Sequence, residues 1–196
     1  MKRGFVRAVA LLSAAFLGGC ATHGGGDPST VPKVAELRAE IGRMRADTLA
    51  RLYQSHPPSK AQVENAHGYA VFSNLGVNLL LLSMAGGSGV AHENSTGRDV
   101  YMKMASGGIG LGVGIKDFRG VFVFKTAKAF NTFVESGWEA GAHADAVART
   151  SRKGGGAEGA VTVAPDVLLY QLTERGIAFE ATIQGTRYFK DAELND

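Results

Sequence analysis

A run of glycines at every second position is the first feature of the sequence that could carry chemistry. Residues 106–117 read SGGIGLGVGIKD, with glycine at positions 108, 110, 112 and 114. A phosphate-binding loop needs a lysine followed by serine or threonine, and a dinucleotide fingerprint needs G-x-G-x-x-G at the start of a helix. Here Lys116 is followed by Asp117, and the glycines alternate strictly with apolar residues, which is the period of a β-strand. The run therefore predicts a strand with one bare face, and glycines inside a strand indicate close approach by another group.

Metal, nucleophile and acid–base chemistry have no local support in the sequence. The five histidines lie at positions 23, 56, 67, 92 and 143, with neither i, i+4 spacing nor a nearby set of cysteines for zinc. No Gly-x-Ser-x-Gly elbow occurs, and the 18 acidic residues are too scattered to define a catalytic pair. We therefore expect no metal, no cofactor and no enzymatic activity.

Cys20, the single cysteine of the chain, has the clearest predicted chemistry. A basic N-terminus precedes an apolar run at 8–17, which is the layout of a secretory signal. The segment Leu17-Gly18-Gly19-Cys20 resembles the bacterial lipobox, whose cysteine is diacylated before cleavage in front of it. The alternative is an ordinary signal peptide that ends near a cysteine. A lone thiol cannot form an internal disulfide, which favours the lipobox.

Acylation at Cys20 predicts where the mature protein resides. One acyl chain holds a protein only marginally on a membrane, whereas two or three hold it stably. Ala21 follows the cysteine, where retention in the inner membrane would favour aspartate. We therefore expect a signal peptide at 1–19 and a lipid-anchored protein on the outer membrane, with its domain facing the periplasm.

Removal of the signal also changes the charge. It takes away Lys2, Arg3 and Arg7, and the 21 basic residues less these three equal the 18 acidic ones. No global positive field remains, and no basic stripe is interleaved with aromatic residues. We expect no nucleic-acid partner, so any attraction to anions must come from local clusters.

Two local clusters are candidate contacts for anionic lipid headgroups. The first cluster lies along a predicted N-terminal helix and consists of Lys33, Arg38, Arg43 and Arg45. The second lies in a glycine-rich loop and consists of Arg149, Arg152 and Lys153. The alternatives are a solvated helix face with internal ion pairs for the first, and a plain charged hairpin tip for the second.

The elements that would position these residues follow from periodicity. A flexible tether at 20–32 leads into an amphipathic helix at 33–53, with an apolar stripe at steps of three and four residues: Val34, Leu37, Ile41, Met44, Thr48 and Leu52. Short alternating runs predict strands at 69–72, 75–84, 90–93, 99–105, 106–117 and 121–124, with turns at 86–89, 94–97 and 117–120. A short helix is predicted at 126–135, a small-residue strand at 137–148 that pairs around Val161 and Val163, and a hairpin of 167–173 with 177–184. The fold class is α+β, with a largely antiparallel β-sheet of about eight short strands in one domain at 33–196.

Several segments in this order resemble the SYLF domain family, which occurs in bacterial lipoproteins and in eukaryotic membrane-trafficking and cortical-actin proteins. The matching segments are HGYAVFSNLG, MAGGSGV, SGGIGLGVGIKDFRGVFVF, KAFNTF, RGIAFEATIQG and the DAELN end. The resemblance implies binding of phospholipids, phosphoinositides in eukaryotic members, assisted by the N-terminal helix. Some relatives bind actin.

The residues and the resemblance together predict a non-catalytic lipoprotein whose SYLF-like domain binds anionic phospholipids. The alternative is an envelope scaffold or adhesion lipoprotein that docks a protein partner.

Overall fold

The computed structural model describes residues 30–140, 159–173, 176–178 and 186–196, and at 30–32, 74–85, 108–118, 139–140, 173 and 176–178 it describes the backbone. The helices are α1 Thr30–Ser55, α2 Pro58–Glu64, α3 Ala127–Ser136 and α4 Ala192–Asn195. The strands are β1 Gly68–Glu93, β2 Asp99–Phe124, β3 Trp138–Ala140, β4 Val161–Ala164, β5 Val167–Thr173, β6 Gly176–Ala178 and β7 Thr186–Lys190. The α+β class with an antiparallel sheet is confirmed.

One long antiparallel hairpin of β1 and β2 dominates the fold. Its register runs from Gly68 opposite Phe124 to His92 opposite Asp99, with one irregularity between Leu80 and Leu82. The predicted turn at 94–97 joins the two strands, but the turns predicted at 86–89 and 117–120 are wrong because both segments lie inside strands. The alternating glycines of residues 106–117 lie within β2, so the prediction of a strand there is confirmed.

The hairpin curls until its two ends meet. The amide of Asn94, in the turn, donates to the carbonyl of His67 at the open end (3.1 Å), and the Asn94 side chain donates to the carbonyl of Val63 (2.8 Å). A Cβ on Gly68 would lie 2.6 Å from the carbonyl oxygen of His92, and one on Gly89 would overlap the carbonyl of Val71. Only glycine permits this approach of one stretch of β1 to another.

An aromatic core fills one face of the curled hairpin. Phe72 and Phe122 contact Tyr188 of β7, with ring centroids 4.8 and 5.1 Å apart. Helix α3 covers this core because its buried residues, Phe130, Phe133 and Val134, follow the three- and four-residue spacing of a helix face. Thr126 caps α3 by accepting a hydrogen bond from the amide of Ala129 (3.3 Å).

Helix α1 packs against the opposite face, and it reaches both ends of the hairpin. Leu52 belongs to a cluster with Val71 and Val121 near the open end, whereas Ile41 packs with Val90 near the turn. The predicted helix at 33–53 is confirmed within three residues at either end. The second helix, α2, was not predicted from the sequence.

Strand β2 organises the rest of the sheet because it pairs along both of its edges. Opposite β1 it pairs with β7 near its start and with β5 near its end. The predicted hairpin is confirmed as β5 with β6, as far as residue 178. The pairing predicted between 137–148 and the strand at Val161 is wrong for the described part, because β3 pairs with β7 and β4 with β5.

Candidate functional site

The cations predicted on α1 divide into a pair that faces the domain and a pair that faces solvent. Arg45 belongs to the first pair: its Nη1 lies 2.7 Å from Oδ1 of Asp99, the first residue of β2. Nδ1 of His92 lies 2.6 Å from the same oxygen. Arg45 therefore ties α1 to both strands at the turn end of the hairpin.

Two tyrosines lie beside this polar cluster, Tyr69 on β1 and Tyr53 on α1. The Tyr69 ring lies 5.1 Å from that of His92, and burial raises the pKa of Tyr69, with Arg45 opposing the shift and Asp99 adding to it. Burial, helped by Tyr69 and Glu64, raises the pKa of Tyr53 to about 12. Both phenols are therefore neutral at physiological pH.

The geometry of His92 and Asp99 matches the carboxylate–imidazole half of a hydrolytic triad. Nη1 of Arg45 also lies near the imidazole, 3.5 Å from Nδ1 of His92. The cluster forms a polar link between α1 and the hairpin.

Arg38, the other inward cation, holds α4. Its Nε donates to the carbonyl of Leu194 (2.9 Å), and its Nη2 donates to the carbonyl of Asp196 (3.0 Å). The guanidinium also lies 5.6 Å from the centre of the Tyr101 ring, a cation–π distance. Leu194 is buried against Ile41 and Val90, so polar and apolar contacts fix α4 together.

Lys33 and Arg43 face solvent, and acidic side chains are exposed on the same helix. The exposed charged residues of α1 are three cations and three anions: Lys33, Arg43 and Arg51, with Glu36, Glu40 and Asp47. The outer face of α1 is thus electrically balanced, as the sequence places the acids opposite the apolar stripe.

The remaining predicted site residues, Cys20, Arg149, Arg152 and Lys153, lie outside the described residues. Within the described ranges, no group of three or more metal-ligating side chains comes together. No helix in those ranges is long and apolar enough to cross a bilayer.

A second acid–histidine pair lies at the closure of the hairpin. Nε2 of His67 is 3.1 Å from Oε1 of Glu93, although the ring is not aligned for a hydrogen bond. The hydroxyl of Thr96 donates to Glu93 (2.8 Å), and this bond, with Arg98 and His67 adding to it, holds the pKa of Glu93 below its ordinary value. Glu93 is therefore ionised at neutral pH.

Sequence reasoning missed two exposed apolar side chains. Leu37, predicted as part of the buried stripe of α1, is 36% exposed, and Phe189 of β7 is 39% exposed. Alternation in TRYFK, with Tyr188 buried and Phe189 outward, could have revealed the second.

The described residues thus define an α+β domain built on one curled hairpin, whose first helix has an electrically balanced outer face. A family model described as Ysc84, Las17-binding protein actin regulator, matches residues 105–196, from within β2 through α4. Beta cell expansion factor A of Aeromonas veronii is 35% identical over 169 residues, which cover 84% of this chain and 62% of that relative. The chain thus spans about three fifths of the length of that relative. Both matches support the SYLF domain family for this chain.

Proposed function

We propose that the protein is a non-catalytic lipoprotein, anchored through acylated Cys20 to the periplasmic side of the outer membrane, whose SYLF domain binds anionic phospholipids. The observation that carries this proposal is the lipobox-like segment that ends at Cys20, ten residues before α1 begins at Thr30. The match to the SYLF family supports a binding role for the domain.

The short connection makes weak binding sufficient. Ten residues of fully extended chain span at most about 36 Å, so acylation would hold the start of α1 within that distance of the bilayer. Tethering raises the effective concentration of lipid headgroups around the domain, without any new contact. A few exposed cations can then matter, since each contributes about 1 kcal/mol beside an anionic surface.

The contacts divide according to what the side chains already bind. Lys33 and Arg43 have exposed side chains and are the proposed headgroup contacts on α1. Arg38 and Arg45 act by holding α1 in place, because each is engaged with α4 or with the hairpin. The loop cations Arg149, Arg152 and Lys153 stay predicted contacts.

Anchoring is tested by metabolic labelling with a radioactive fatty acid in a Gram-negative host. Wild type should take up label and fractionate with the outer membrane, whereas Cys20→Ala should take up none. An unlabelled wild-type protein released into the periplasm would contradict the anchor and favour the ordinary signal peptide.

Lipid binding by the domain is tested by flotation of the chain that begins at Ala21, which contains every described element. We expect more recovery with phosphatidylglycerol vesicles than with phosphatidylcholine vesicles, and less after Lys33→Glu with Arg43→Glu. Glu36→Lys with Glu40→Lys, matched on the same helix face, should raise recovery. Equal flotation of all variants on both vesicles would refute the headgroup contacts.

The second candidate function is docking of a protein partner by the anchored domain. The family model favours it, since its description names a Las17-binding protein and actin regulation. Photoreactive amino acids can be placed on the surface of the domain without adding a cysteine. Crosslinking in intact cells should then yield one defined adduct. Such an adduct, together with no flotation of the Ala21 chain, would favour docking over lipid binding.

A further inference from the structure

We infer that the domain rests on the bilayer through one end, formed by the first half of α1, α4 and β7, with Leu37 and Phe189 entering the interface. This inference rests on the proposed anchoring and specifies which surface meets the lipid. The proposed occupant is the phospholipid bilayer that holds the acyl chains of Cys20.

The first observation is the exposure of these two side chains. Phe189 and Leu37 are the large apolar residues that are exposed on the described part of the chain, at 39% and 36%. A single exposed apolar side chain is ordinary and requires no explanation. The inference therefore depends on where the two side chains lie, and not on their exposure alone.

Both side chains flank α4. Arg38, next to Leu37, donates to the carbonyls of Leu194 and Asp196. Phe189 precedes the α4 cap, Asp191, by two residues, and α4 has four residues, so it spans about 6 Å. Leu37 and Phe189 therefore lie at the same end of the domain.

The sheet leaves Phe189 uncovered. Tyr188 points into the aromatic core, so its neighbour Phe189 projects from the opposite face of β7. On that face the register places Phe189 beside Lys103, with Ser88 beyond it on β1. Ser88 is small and exposed, so it does not cover the ring.

Basic and acidic side chains lie together at this end of the domain. We therefore assign its contact with the bilayer to insertion of the apolar side chains. Lys190 and Arg187 are exposed on β7, but the Glu193 side chain of α4 is 82% exposed. Lys103 lies 3.1 Å from Asp191, which offsets its charge. The contact should therefore depend less on ionic strength than the headgroup contacts of α1.

The anchor holds this end, and not the other, close to the bilayer. Leu37 lies seven residues after Thr30, about 10 Å along the helix axis, whereas the far end of the 26-residue α1 lies about 39 Å away. Ten residues separate Thr30 from Cys20. The end with Leu37 and Phe189 is thus the one nearest to the proposed anchor along the chain.

The test places a single nitroxide or fluorophore on the acylated mature protein in vesicles of phosphatidylethanolamine and phosphatidylglycerol. Acylation blocks Cys20, so Phe189→Cys or Leu37→Cys supplies the reactive thiol. Thr132→Cys is the matched control, because Thr132 is exposed on α3, which covers the opposite face of β7. We expect labels at 189 and 37 to report a depth of about 5–10 Å below the headgroups, and the label at 132 to stay in water.

The outcomes separate the inference from the proposed function. If the protein floats with the vesicles but the label at 189 stays in water, the inference is wrong and the anchor stands. If wild type itself takes label at Cys20, both are wrong. Independently, Phe189→Ser should weaken vesicle binding of the Ala21 chain about tenfold while leaving its unfolding midpoint unchanged; unchanged binding would count against the inference.

Discussion

Arg45 of α1 and Asp99 of β2 form an ion pair with Nη1 and Oδ1 2.7 Å apart, and the two side chains are 24% and 28% exposed. His92 contacts the same carboxylate oxygen, so one acid joins the first helix to both strands of the hairpin. The relationship gives Arg45 a role in stability that its neighbour on the solvent face, Arg43, does not share.

The first prediction concerns this pair. Arg45→Ala should lower the free energy of unfolding by about 1 kcal/mol, since partly exposed ion pairs contribute modestly. Arg43→Ala, on the solvent face of the same helix, should change it by less than about 0.5 kcal/mol. Urea denaturation measures both, and equal effects would show that the ion pair does not hold α1.

The second prediction concerns the closure of the hairpin. Gly68→Ala should destabilise the fold by on the order of 2–3 kcal/mol, because its Cβ would lie 2.6 Å from the carbonyl oxygen of His92. The matched control is Gly86→Ala in the same strand, where a Cβ meets nothing within 4 Å. Thermal unfolding compares the two variants. A Gly68→Ala protein as stable as Gly86→Ala would mean that β1 does not approach itself this closely.

The third prediction concerns α4. Leu194 is 4% exposed against Ile41 and Val90, so Leu194→Ala should cost about 2–4 kcal/mol. Leu37→Ala removes a similar side chain from an exposed position and should cost less than about 1 kcal/mol. Chemical denaturation measures both free energies of unfolding. Equal losses for Leu194→Ala and Leu37→Ala would contradict the docking of α4.

The fourth prediction concerns pH. The pKa of Glu93 lies below its ordinary 4.5, mainly because Thr96 donates a hydrogen bond to the carboxylate. The unfolded chain therefore binds this proton at higher pH, so the stability that Glu93 contributes is present above pH 4.5 and lost as pH falls through the folded pKa. Thr96→Val should raise the Glu93 pKa towards 4.5, and stability should fall less steeply below about pH 5.

Carbon-13 NMR titration of the glutamate carboxyls measures the Glu93 pKa directly. Ser95→Ala, which changes another exposed hydroxyl of the same turn, is the control and should leave the titration unchanged. A Glu93 pKa that is identical in wild type and Thr96→Val would refute the assigned cause.

Elements with apolar side chains on one face and polar or small residues on the other could be predicted from the period of the sequence. The three- and four-residue spacing of Ile41, Thr48 and Leu52 predicts α1, and the alternation at 106–117 predicts a strand. Local composition misled at 86–89, since glycines that form turns and glycines that admit a neighbouring backbone have the same composition. Gly89 belongs to the second kind, because it faces the Val71 carbonyl.

Long-range partners could not be predicted from one sequence. Helical spacing places Arg38 and Arg45 beside the apolar stripe, but it cannot reveal that Arg38 binds residues 156 and 158 positions later. Strand β7 and helix α4 were missed for a related reason. They are five and four residues long, too short for a periodic signal, and their stability comes from tertiary contacts.

The contact between Arg38 and residues 194–196 has a consequence for folding during synthesis. A chain that emerges from a ribosome with its N-terminus first exposes α1 long before α4 is available. Until then the first half of α1 lacks Leu194 as a packing partner. This corner of the core is therefore among the last parts of the domain to form.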